Sequence, residues 1–338
     1  MIVGILGAGR IGRLHAENIV RYFRDVSIKW IADAYMNRDI ENWAQGLGVP
    51  HTTDNADLIF SDPEVDAVLI CSSTHTHAEY ICRCAQAHKA AFCEKPIDLS
   101  VQKIRDALEQ VERSGILLQV GFVRRFDHNY MRLKTAVDSG ACGVVNSVHI
   151  VSRDPDFPPL EYLKTSGGIF VDQAIHDYDM ARYLAGSEPI SVYARGHALQ
   201  KPEIAEWGDS DTAVTLITFA NGVLATVENS RRAIYGYDQR AEVFGSAGCA
   251  RMENDAPNTV VVSNKDCVFG APPPWFFLER YNQAFVTEMQ QFFEAVSGSS
   301  APPVTGYDGL QAAYIAAAAT LSQKENRPVE IKKLVLGQ

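Results

Sequence analysis

The glycine-rich segment Gly7–Gly12 is the first group of residues whose types and spacing indicate chemistry. It directly follows the apolar run Ile2–Leu6 and opens a helical pattern. In such a strand, turn and helix, the first glycine allows a tight turn and the second lets a phosphate approach the backbone. The third lets the helix pack closely on the strand, while the helix N-terminus attracts negative charge. The segment therefore predicts dinucleotide binding, with these residues at the cofactor: Gly7, Gly9, Arg10, Ile11 and Gly12.

Asp33 follows Gly12 by 21 residues, at the end of a second strand-like run. Its carboxylate can accept hydrogen bonds from both hydroxyls of a ribose and would repel a 2′-phosphate, so the spacing favours NAD over NADP. Arg38 leaves NADP as an alternative, although a solvated charge is its more ordinary role. The plainest alternative for the whole pattern is a glycine turn with a surface aspartate.

Glu94-Lys95-Pro96 ends another strand-like run, Ala90–Cys93. Open parallel sheets hold their ligands at the carboxyl ends of the strands. At such an end, Lys95 could hydrogen-bond a substrate hydroxyl and stabilise the alkoxide character that develops as a hydride leaves. Taken alone, a lysine in this position is more often a surface residue.

Asp172 and His176 form the third group, inside the segment 167–179. If this segment is helical, their spacing of four residues places both side chains on one face. A carboxylate beside an imidazole orients the ring and stabilises its protonated form, so His176 is a candidate general base. The alternatives are an N-terminal aspartate with a core histidine, or a metal site that adds Asp179. We favour His176 as a general base oriented by Asp172, without a metal, because hydride transfer from an alcohol needs only a base.

A fold must position these residues, and the alternation of patterns predicts its class. Up to about residue 120, β-branched runs alternate with helical patterns, as in a parallel sheet of βαβ units. Beyond Gly121, strand-like runs follow one another and Asn221-Gly222 supplies a hairpin turn, so a mostly antiparallel sheet is expected there. The predicted strands are Ile2–Leu6, Val26–Asp33, Val65–Cys71, Ala90–Cys93, Ile116–Val120, Ile190–Ala194, Ala213–Phe219, Val223–Glu228, Ala241–Phe244 and Val260–Ser263. Five helices are predicted. The first begins after Gly9, the second runs from its N-cap Ser100 to Gly115, and the others cover residues 168–185, 285–296 and 310–321.

The composition excludes several classes of function. The 338 residues include 31 Lys and Arg against 41 Asp and Glu, a net charge of −10, without a concentrated basic block. Nucleic acids and anionic membranes are therefore not expected as partners. The seven cysteines include no C-x-x-C pair, the N-terminus lacks a signal-peptide pattern, and no apolar run approaches the ~20 residues of a membrane span. A soluble, cytoplasmic protein is the expectation.

Five segments together resemble the Gfo/Idh/MocA oxidoreductases and, within that family, the bacterial inositol 2-dehydrogenases. They are Gly7–Gly12, Ser72–His77, Glu94–Pro96, Gly121–Asp127 and the pair Asp172 and His176. The resemblance covers nearly the whole chain. It implies an α/β protein with an N-terminal Rossmann dinucleotide-binding domain, residues 1–120, followed by an α+β domain, residues 121–338. The second domain has an open, mostly antiparallel sheet for substrate binding and oligomerisation, commonly into tetramers, and C-terminal helices are expected to pack back on the first domain.

The resemblance also implies roles for individual residues. Lys95, Asp172 and His176 match the catalytic set of inositol dehydrogenases, with His176 taking the hydroxyl proton while a hydride passes to NAD. The further residues expected at the cofactor are Ser72, Thr74, His75, Glu94 and Lys95. The residues expected at the substrate are Lys95, Arg125, Asp154, Asp172, His176 and Tyr235. No metal is expected.

The turn Ser72–His77 also invites a metal interpretation, because His75 and His77 have H-x-H spacing. We favour a place at the cofactor edge, where Thr74 or Thr76 caps a helix and His77 has a packing role.

Plainer roles are open for the substrate set. Arg125 could form an ion pair with Asp127, Asp154 could be a turn residue before Pro155, and Tyr235 could be a surface aromatic. Ser152 and Asp154 stand where some inositol dehydrogenases carry His and Asn, so the resemblance leaves the ring, the stereoisomer and the hydroxyl open.

The function implied is an NAD-dependent dehydrogenase, EC 1.1.1.-, that oxidises a secondary hydroxyl of myo-inositol or a close cyclic polyol to a ketone. An aldose or other sugar dehydrogenase of the same family would use the same three catalytic residues. A non-catalytic NAD-sensing regulator would lack the Lys and His that are present here. An enzyme that retains its cofactor while cycling between two sugars is a further alternative.

Overall fold

The computed structural model describes residues 1–335, and the chain forms two compact units. The first unit comprises Met1–Phe126 and Gln283–Gln311, and the second comprises Asp127–Asn282 and the chain from Ala312 onward. The division into domains 1–120 and 121–338 stays a prediction. None of the helices within residues 1–335 combines the length and apolarity that a bilayer crossing requires.

The first unit is built on a six-stranded sheet in which every neighbouring pair is parallel. Its strands are β1 (Ile2–Leu6), β2 (Ser27–Ala32), β3 (His51–Thr53), β4 (Ala67–Ile70), β5 (Ala90–Glu94) and β6 (Leu118–Gly121). They lie in the order β3-β2-β1-β4-β5-β6. This doubly wound order is that of a Rossmann fold, as predicted.

Five helices connect these strands: α1 (Arg10–Tyr22), α2 (Arg38–Gly46), α3 (Asp57–Ser61), α4 (His77–Gln86) and α5 (Val101–Ser114). The predicted ends of α5 are confirmed, because the Ser100 hydroxyl accepts from the Lys103 amide and Gly115 ends the helix with φ +69°. The core of the unit lies where the sheet meets α1 and the later helix 282–296, which contributes Met289, Phe292 and Phe293.

The second unit contains a seven-stranded sheet in the order β12-β11-β7-β10-β9-β8-β15. The strands after β6 are β7 (Val145–Arg153), β8 (Pro189–His197), β9 (Thr212–Phe219), β10 (Leu224–Ser230), β11 (Asp238–Gly245), β12 (Gly248–Met252), β13 (Val261–Ser263), β14 (Val268–Gly270) and β15 (Val329–Glu330). Strands β13 and β14 form a separate hairpin. The pair β7 and β10 is parallel and the other pairs are antiparallel, so the sheet is mixed but mostly antiparallel, as predicted.

The remaining helices are α6 (His128–Asp138), α7 (Leu160–Leu163), α8 (Ile169–Asp172), α9 (Ile175–Ala185), α10 (Phe277–Arg280), α11 (Asn282–Val296), α12 (Gly306–Glu325) and α13 (Ile331–Val335). Short 3-10 turns cover Thr74–Thr76, Val123–Phe126 and Pro202–Trp207. The two helices predicted near the C-terminus correspond to α11 and α12.

Three sequence predictions about elements need correction. The strand predicted third, Val65–Cys71, is β4, because the three-residue strand β3 is too short to show a pattern. Strand β7 was missed, although it is central to the second sheet. The helix predicted over 168–185 is interrupted at residues 173 and 174, so α8 and α9 are separate helices.

Candidate active site

Four strands of the first unit end level with one another, which brings the predicted cofactor residues to one edge. Leu6 pairs with both Ala32 and Ile70, and Ile70 pairs with Cys93. The residues that follow these strand positions are Gly7, Asp33, Cys71 and Glu94. The strand order reverses between β1 and β4, which is where open α/β sheets bind their ligands.

The glycine segment has the conformation that a dinucleotide loop requires. Gly7 has φ +98°, and a Cβ there would lie 2.5 Å from the carbonyl oxygen of Cys71. A Cβ at Gly12 would lie 1.9 Å from the carbonyl oxygen of Gly7. A Cβ at Gly9, in contrast, would meet no described atom within 4 Å, so space lies beside this residue. The first and third glycines are thus required by packing, and the second lies where a ligand can approach.

Asp33 supports this loop from β2. Its Oδ2 accepts from the backbone N–H of Ala8 at 2.7 Å, and its Oδ1 accepts from that of Tyr35 at 2.8 Å. Within the described chain, no side chain caps α1 at Gly9, which suits an anionic group at this helix end. The loop, the helix end and the carboxylate fit the pyrophosphate and ribose of NAD.

The turn after β4 is held by side chains in a way that the sequence did not predict. Thr76 precedes α4, but its hydroxyl bonds to the Ser72 hydroxyl and the Ser73 carbonyl, both at 2.7 Å, rather than capping the helix. The expected cap at Thr74 is wrong as well, since Thr74 lies inside the 3-10 turn, next to the exposed His75.

His77 connects this turn with the segment after β5. Its buried ring places Nδ1 2.8 Å from the Pro96 carbonyl oxygen and Nε2 3.0 Å from that of Ser72. Burial lowers the pKa of His77, and the hydrogen bonds to the Pro96 and Ser72 carbonyls oppose this shift. The packing role predicted for His77 agrees with these contacts, which fix Ser72 relative to the half-buried Lys95.

Arg125 lies in the first unit and has an acidic partner there. It pairs with Asp308 at 3.1 Å, and both side chains are largely buried. Asp127 N-caps α6 and forms a buried ion pair with Arg280. The partners of Arg125 and Asp127 come from the C-terminal part of the chain, which sequence spacing could not reveal.

Asp172, at the end of α8, is held by two donors in the second unit. The Tyr162 hydroxyl donates to Oδ1 at 2.7 Å, and Nη1 of Arg231 donates to Oδ2 at 3.3 Å. Arg231 is fully buried at the end of β10. His176 follows in α9 and is half-buried. The expectation of one continuous helix carrying both residues is therefore wrong, because two turn residues separate the helices.

Asp209 and Arg231 form a ring of hydrogen bonds with the two ends of α8, at Ile169 and Asp172. Oδ2 of Asp209 accepts from Nη2 of Arg231 at 3.1 Å, and its Oδ1 accepts from the Ile169 backbone at 2.7 Å. Gly168 has φ +82°, and a Cβ there would lie 3.1 Å from Asp209 Oδ1. Asp209 thus binds the start of α8 directly and its end, at Asp172, through Arg231.

Asp154 and Tyr235 also lie in the second unit. The Asp154 carbonyl accepts from the Ala233 amide at 2.6 Å and its own N–H donates to the Ser230 carbonyl at 2.9 Å, so its backbone pairs with the chain at and just after the end of β10. The Tyr235 hydroxyl donates to Asp238 at 2.6 Å and accepts from Arg153 at 2.8 Å, while 47% of the residue is exposed. Burial by itself would raise the pKa of Asp238, but hydrogen bonds from Arg240, Tyr235 and Asn254 lower it.

Tyr235 also lines an apolar cavity of about 560 Å³ together with Ile234, Trp275 and three consecutive prolines, 272–274. This lining offers few partners for a ligand with many hydroxyls.

Comparison with known proteins identifies the family. Residues 1–122 match the family described as "Oxidoreductase family, NAD-binding Rossmann fold", and residues 130–251 match "GFO/IDH/MocA C-terminal domain". The chain belongs to the Gfo/Idh/MocA oxidoreductase family. The resemblance deduced from the motifs is thereby confirmed, and with it an NAD-binding oxidoreductase.

Relatives within the Gfo/Idh/MocA family match the chain over its whole length. It is 47% identical over 332 residues to the uncharacterised oxidoreductase YrbE of Bacillus subtilis, covering 98% of this chain and 97% of that protein. It is 42% identical over 335 residues to myo-inositol 2-dehydrogenase of Thermotoga maritima, covering 99% and 100%. The crystal structure of scyllo-inositol dehydrogenase from Lactobacillus casei, with bound NAD(H) and scyllo-inositol, is 29% identical with a TM-score of 0.92, covering 98% and 99%. The chain is thus inositol 2-dehydrogenase-like.

Proposed function

We propose that the protein oxidises a secondary hydroxyl of myo-inositol, or of a close cyclic polyol, to the ketone, the inosose, with NAD as hydride acceptor. The observation that supports this most is the 42% identity over the full length to a myo-inositol 2-dehydrogenase, in a chain that carries Lys95, Asp172 and His176. The similarity to a scyllo-inositol dehydrogenase is the reason for including close cyclic polyols.

Each catalytic residue has a distinct role in this proposal. His176 takes the hydroxyl proton as general base, and Asp172 orients the imidazole and stabilises its charged form. Lys95 donates a hydrogen bond to the reacting oxygen and stabilises its developing negative charge. When bound, the nicotinamide of NAD accepts the hydride. Tyr162 and Arg231 hold the two Asp172 oxygens, so Asp172 keeps its orientation through the reaction.

Arg125, Asp154 and Tyr235 are proposed to bind the remaining hydroxyls. Ring hydroxyls that enter a dry site without partners are costly, so several polar groups are needed for a polyol. The cofactor is proposed to contact Arg10, Ile11, Ser72, Thr74, His75 and Glu94 in addition to the glycines and Asp33. We also propose a homo-oligomer, with a tetramer favoured.

The test is a panel of inositol isomers and aldoses with NAD and with NADP, followed by the absorbance of the reduced cofactor. We expect turnover of myo-inositol or another inositol with NAD. Lys95→Ala, Asp172→Asn and His176→Ala should each lower kcat by at least about 100-fold. The exposed residues Lys265 and His197 provide matched controls, Lys265→Ala and His197→Ala, which should leave kcat unchanged.

Either of two outcomes would favour a different function over the one proposed. Turnover of an aldose without any inositol would make the protein a sugar dehydrogenase with the same catalytic residues. NAD binding without turnover of any polyol or sugar would favour a regulator.

A further inference from the structure

A buried polar cluster lies in the first unit, behind the edge where the cofactor residues gather. It consists of His15 on α1, Glu94 at the end of β5 and Glu288 on α11, and one side-chain nitrogen or oxygen from each lies within 4.8 Å of the others. His15 and Glu288 are fully buried, whereas the Glu94 side chain is 14% exposed. The proposed catalysis uses neither His15 nor Glu288, so their burial needs another explanation.

His15 donates to Glu94. Its Nε2 lies 3.0 Å from Glu94 Oε1, and its Nδ1 has no hydrogen-bond partner among residues 1–335. The rings of Phe92 and Phe285 contact the imidazole edge-on, with centroids 5.2 and 5.7 Å away. A buried N–H without a partner is rarer than a buried lone pair without one, so the proton belongs on Nε2.

Glu288 has neither carboxylate oxygen paired with a group in the described residues. Burying an ionised carboxylate without a hydrogen-bond partner costs so much free energy that the carboxyl group takes up a proton and becomes neutral. The polar and titratable groups around it are His15 from α1, Glu94 from β5, Cys71 after β4 and Gln119 on β6, whose amide donates to the Glu288 backbone oxygen. None of these supplies a positive charge unless His15 is protonated.

We propose that Glu288 is a neutral carboxylic acid that donates its proton to Glu94, and that His15 and Glu288 are positioning residues for the Glu94 carboxylate. The burial of Glu288 and the negative charge of Glu94 both raise the pKa of Glu288 well above its usual value. Glu94 is the more exposed of the two carboxyl groups, and its Oε1 already accepts from His15 Nε2 at 3.0 Å, so Glu94 is the acceptor in the proposed pair. Two carboxyl groups this close share one proton rather than both ionising.

The alternative explanation of this cluster is a site in which His15, Glu94 and Glu288 bind a divalent cation. A histidine that binds a metal almost always donates its other ring N–H to a partner. In the described residues, Nδ1 of His15 has no such partner, so the proton explains the cluster better.

Positioning of Glu94 by His15 and Glu288 should affect NAD binding. This consequence rests on the proposed role of Glu94 in binding NAD. Glu94 is the last residue of β5 and pairs with Gly121 on β6, and its Oε2 would lie 3.1 Å from a Cβ at Gly121. The carboxylate is therefore packed on one side by backbone and fixed from behind by His15 and Glu288. Removing a donor should let it reorient and weaken NAD binding.

Infrared spectroscopy of the full-length protein tests the protonation at neutral pH. The wild-type protein should show the C=O stretching band of a protonated carboxyl group, and Glu288→Gln should lose it. Glu294 is exposed on the same helix, so Glu294→Gln is the matched control and should keep the band. Absence of the band from the wild-type protein, its persistence in Glu288→Gln, or one tightly bound divalent cation per chain by elemental analysis would overturn the proposal.

Calorimetric titration with NAD alone tests the positioning role without depending on any substrate. Glu288→Leu should weaken NAD binding by about tenfold, because it removes a hydrogen bond to a charged group. Glu288→Gln should recover most of that affinity, since its amide N–H can donate to Glu94 in place of the acid. A folded Glu288→Leu protein with wild-type NAD affinity would refute the role, even if inositol turnover were normal. If NAD binding weakens as expected while no polyol is oxidised, this inference stands and the proposed function fails.

Discussion

At the scale of single residues, Asp33 has a second role that its spacing from Gly12 did not reveal. The sequence predicted a carboxylate for the ribose, and the structure shows that both oxygens already accept backbone N–H groups, from Ala8 and Tyr35. Each carboxylate oxygen can accept more than one hydrogen bond, so loop support and ribose binding are compatible. We therefore propose that the same residue shapes the loop and carries the charge that discriminates against a 2′-phosphate.

Asp33→Asn should reduce the preference for NAD without disrupting the loop. The amide oxygen can still accept from Ala8, but the negative charge that opposes a 2′-phosphate is gone. We expect the ratio of the NADP Kd to the NAD Kd to fall by about tenfold or more. Titration with both cofactors measures this ratio, and Asp39→Asn, exposed at the start of α2, is the control. An unchanged ratio would show that Asp33 does not select the cofactor.

Glu288 should make stability depend on pH. In the unfolded chain this carboxyl ionises near its ordinary pKa of about 4.3. In the folded protein its pKa is raised by burial and by Glu94, so the folded state holds a proton that the unfolded state has lost. The stability that this group contributes is present below the unfolded pKa and is lost as the pH rises through the folded pKa.

Urea denaturation of the wild-type protein and of Glu288→Gln from about pH 5 upward measures this effect. The free energy of unfolding of the wild type should fall relative to that of the variant by up to about 1.4 kcal/mol per pH unit, until the folded pKa is reached. Parallel pH profiles for the two proteins would mean that Glu288 is ionised when folded.

At the scale of elements, the interruption between α8 and α9 changes how the proposed catalytic pair, Asp172 and His176, is positioned. A continuous helix would have fixed Asp172 and His176 by its own geometry. Instead, the four-residue helix α8 is too short to be stable alone and is held at both ends by the Asp209 and Arg231 ring. Asp172 is thus oriented by tertiary contacts rather than by helix periodicity.

Arg231→Leu should destabilise the protein by about 3–5 kcal/mol, because it leaves Asp209 buried without its charged partner. Asp172 would also lose one of its donors, so we expect kcat to fall while the Kd for NAD changes little. Arg232 is the neighbouring residue and its side chain is 47% exposed, so Arg232→Leu should cost about 0.5 kcal/mol or less. Chemical denaturation and steady-state kinetics on both variants check this. Equal effects of the two substitutions would show that the ring does not hold α8.

At the scale of the whole molecule, the second sheet leaves one face with exposed apolar side chains. Val214 and Leu216 on β9, Leu224 on β10 and Phe244 on β11 are each 40–50% exposed. Leu216 pairs with Thr226, which pairs with the exposed His149 on β7, so these positions share one face. Exposed apolar side chains that share one face of a sheet favour association. The homo-oligomer inferred from the family resemblance would bury it.

Leu216→Glu should therefore dissociate the oligomer, because a buried charge without a partner opposes association. Light scattering coupled to gel filtration should give a smaller mass for this variant than for the wild-type protein. Leu58, 41% exposed on α3 in the first unit, offers the control Leu58→Glu, which should keep the wild-type mass. A wild-type protein that elutes as a monomer would contradict the oligomer, and a Leu216→Glu protein of wild-type mass would place its interface elsewhere.

The sequence by itself determined the features that depend on neighbours along the chain. The glycines of the first loop, the cap and end of α5 and the Asn221-Gly222 hairpin are local, because turn, cap and periodicity rules act over a few residues. The sequence also predicted the family, and with it NAD, through motifs that lie within short segments. Short or irregular elements such as β3 and α8 escaped these rules, since three or four residues carry too little pattern.

Tertiary structure alone decided which distant side chains became partners. Glu288 is buried beside His15 and Glu94, Arg231 holds Asp172 and Asp209, and Asp308 pairs with Arg125. A lone Glu or Arg in a helix or strand pattern is ordinarily a solvated charge, and nothing in its neighbours along the chain says otherwise. Its charge state and partner depend on how far folding removes it from water and on which groups are brought beside it, and that is a property of three-dimensional packing.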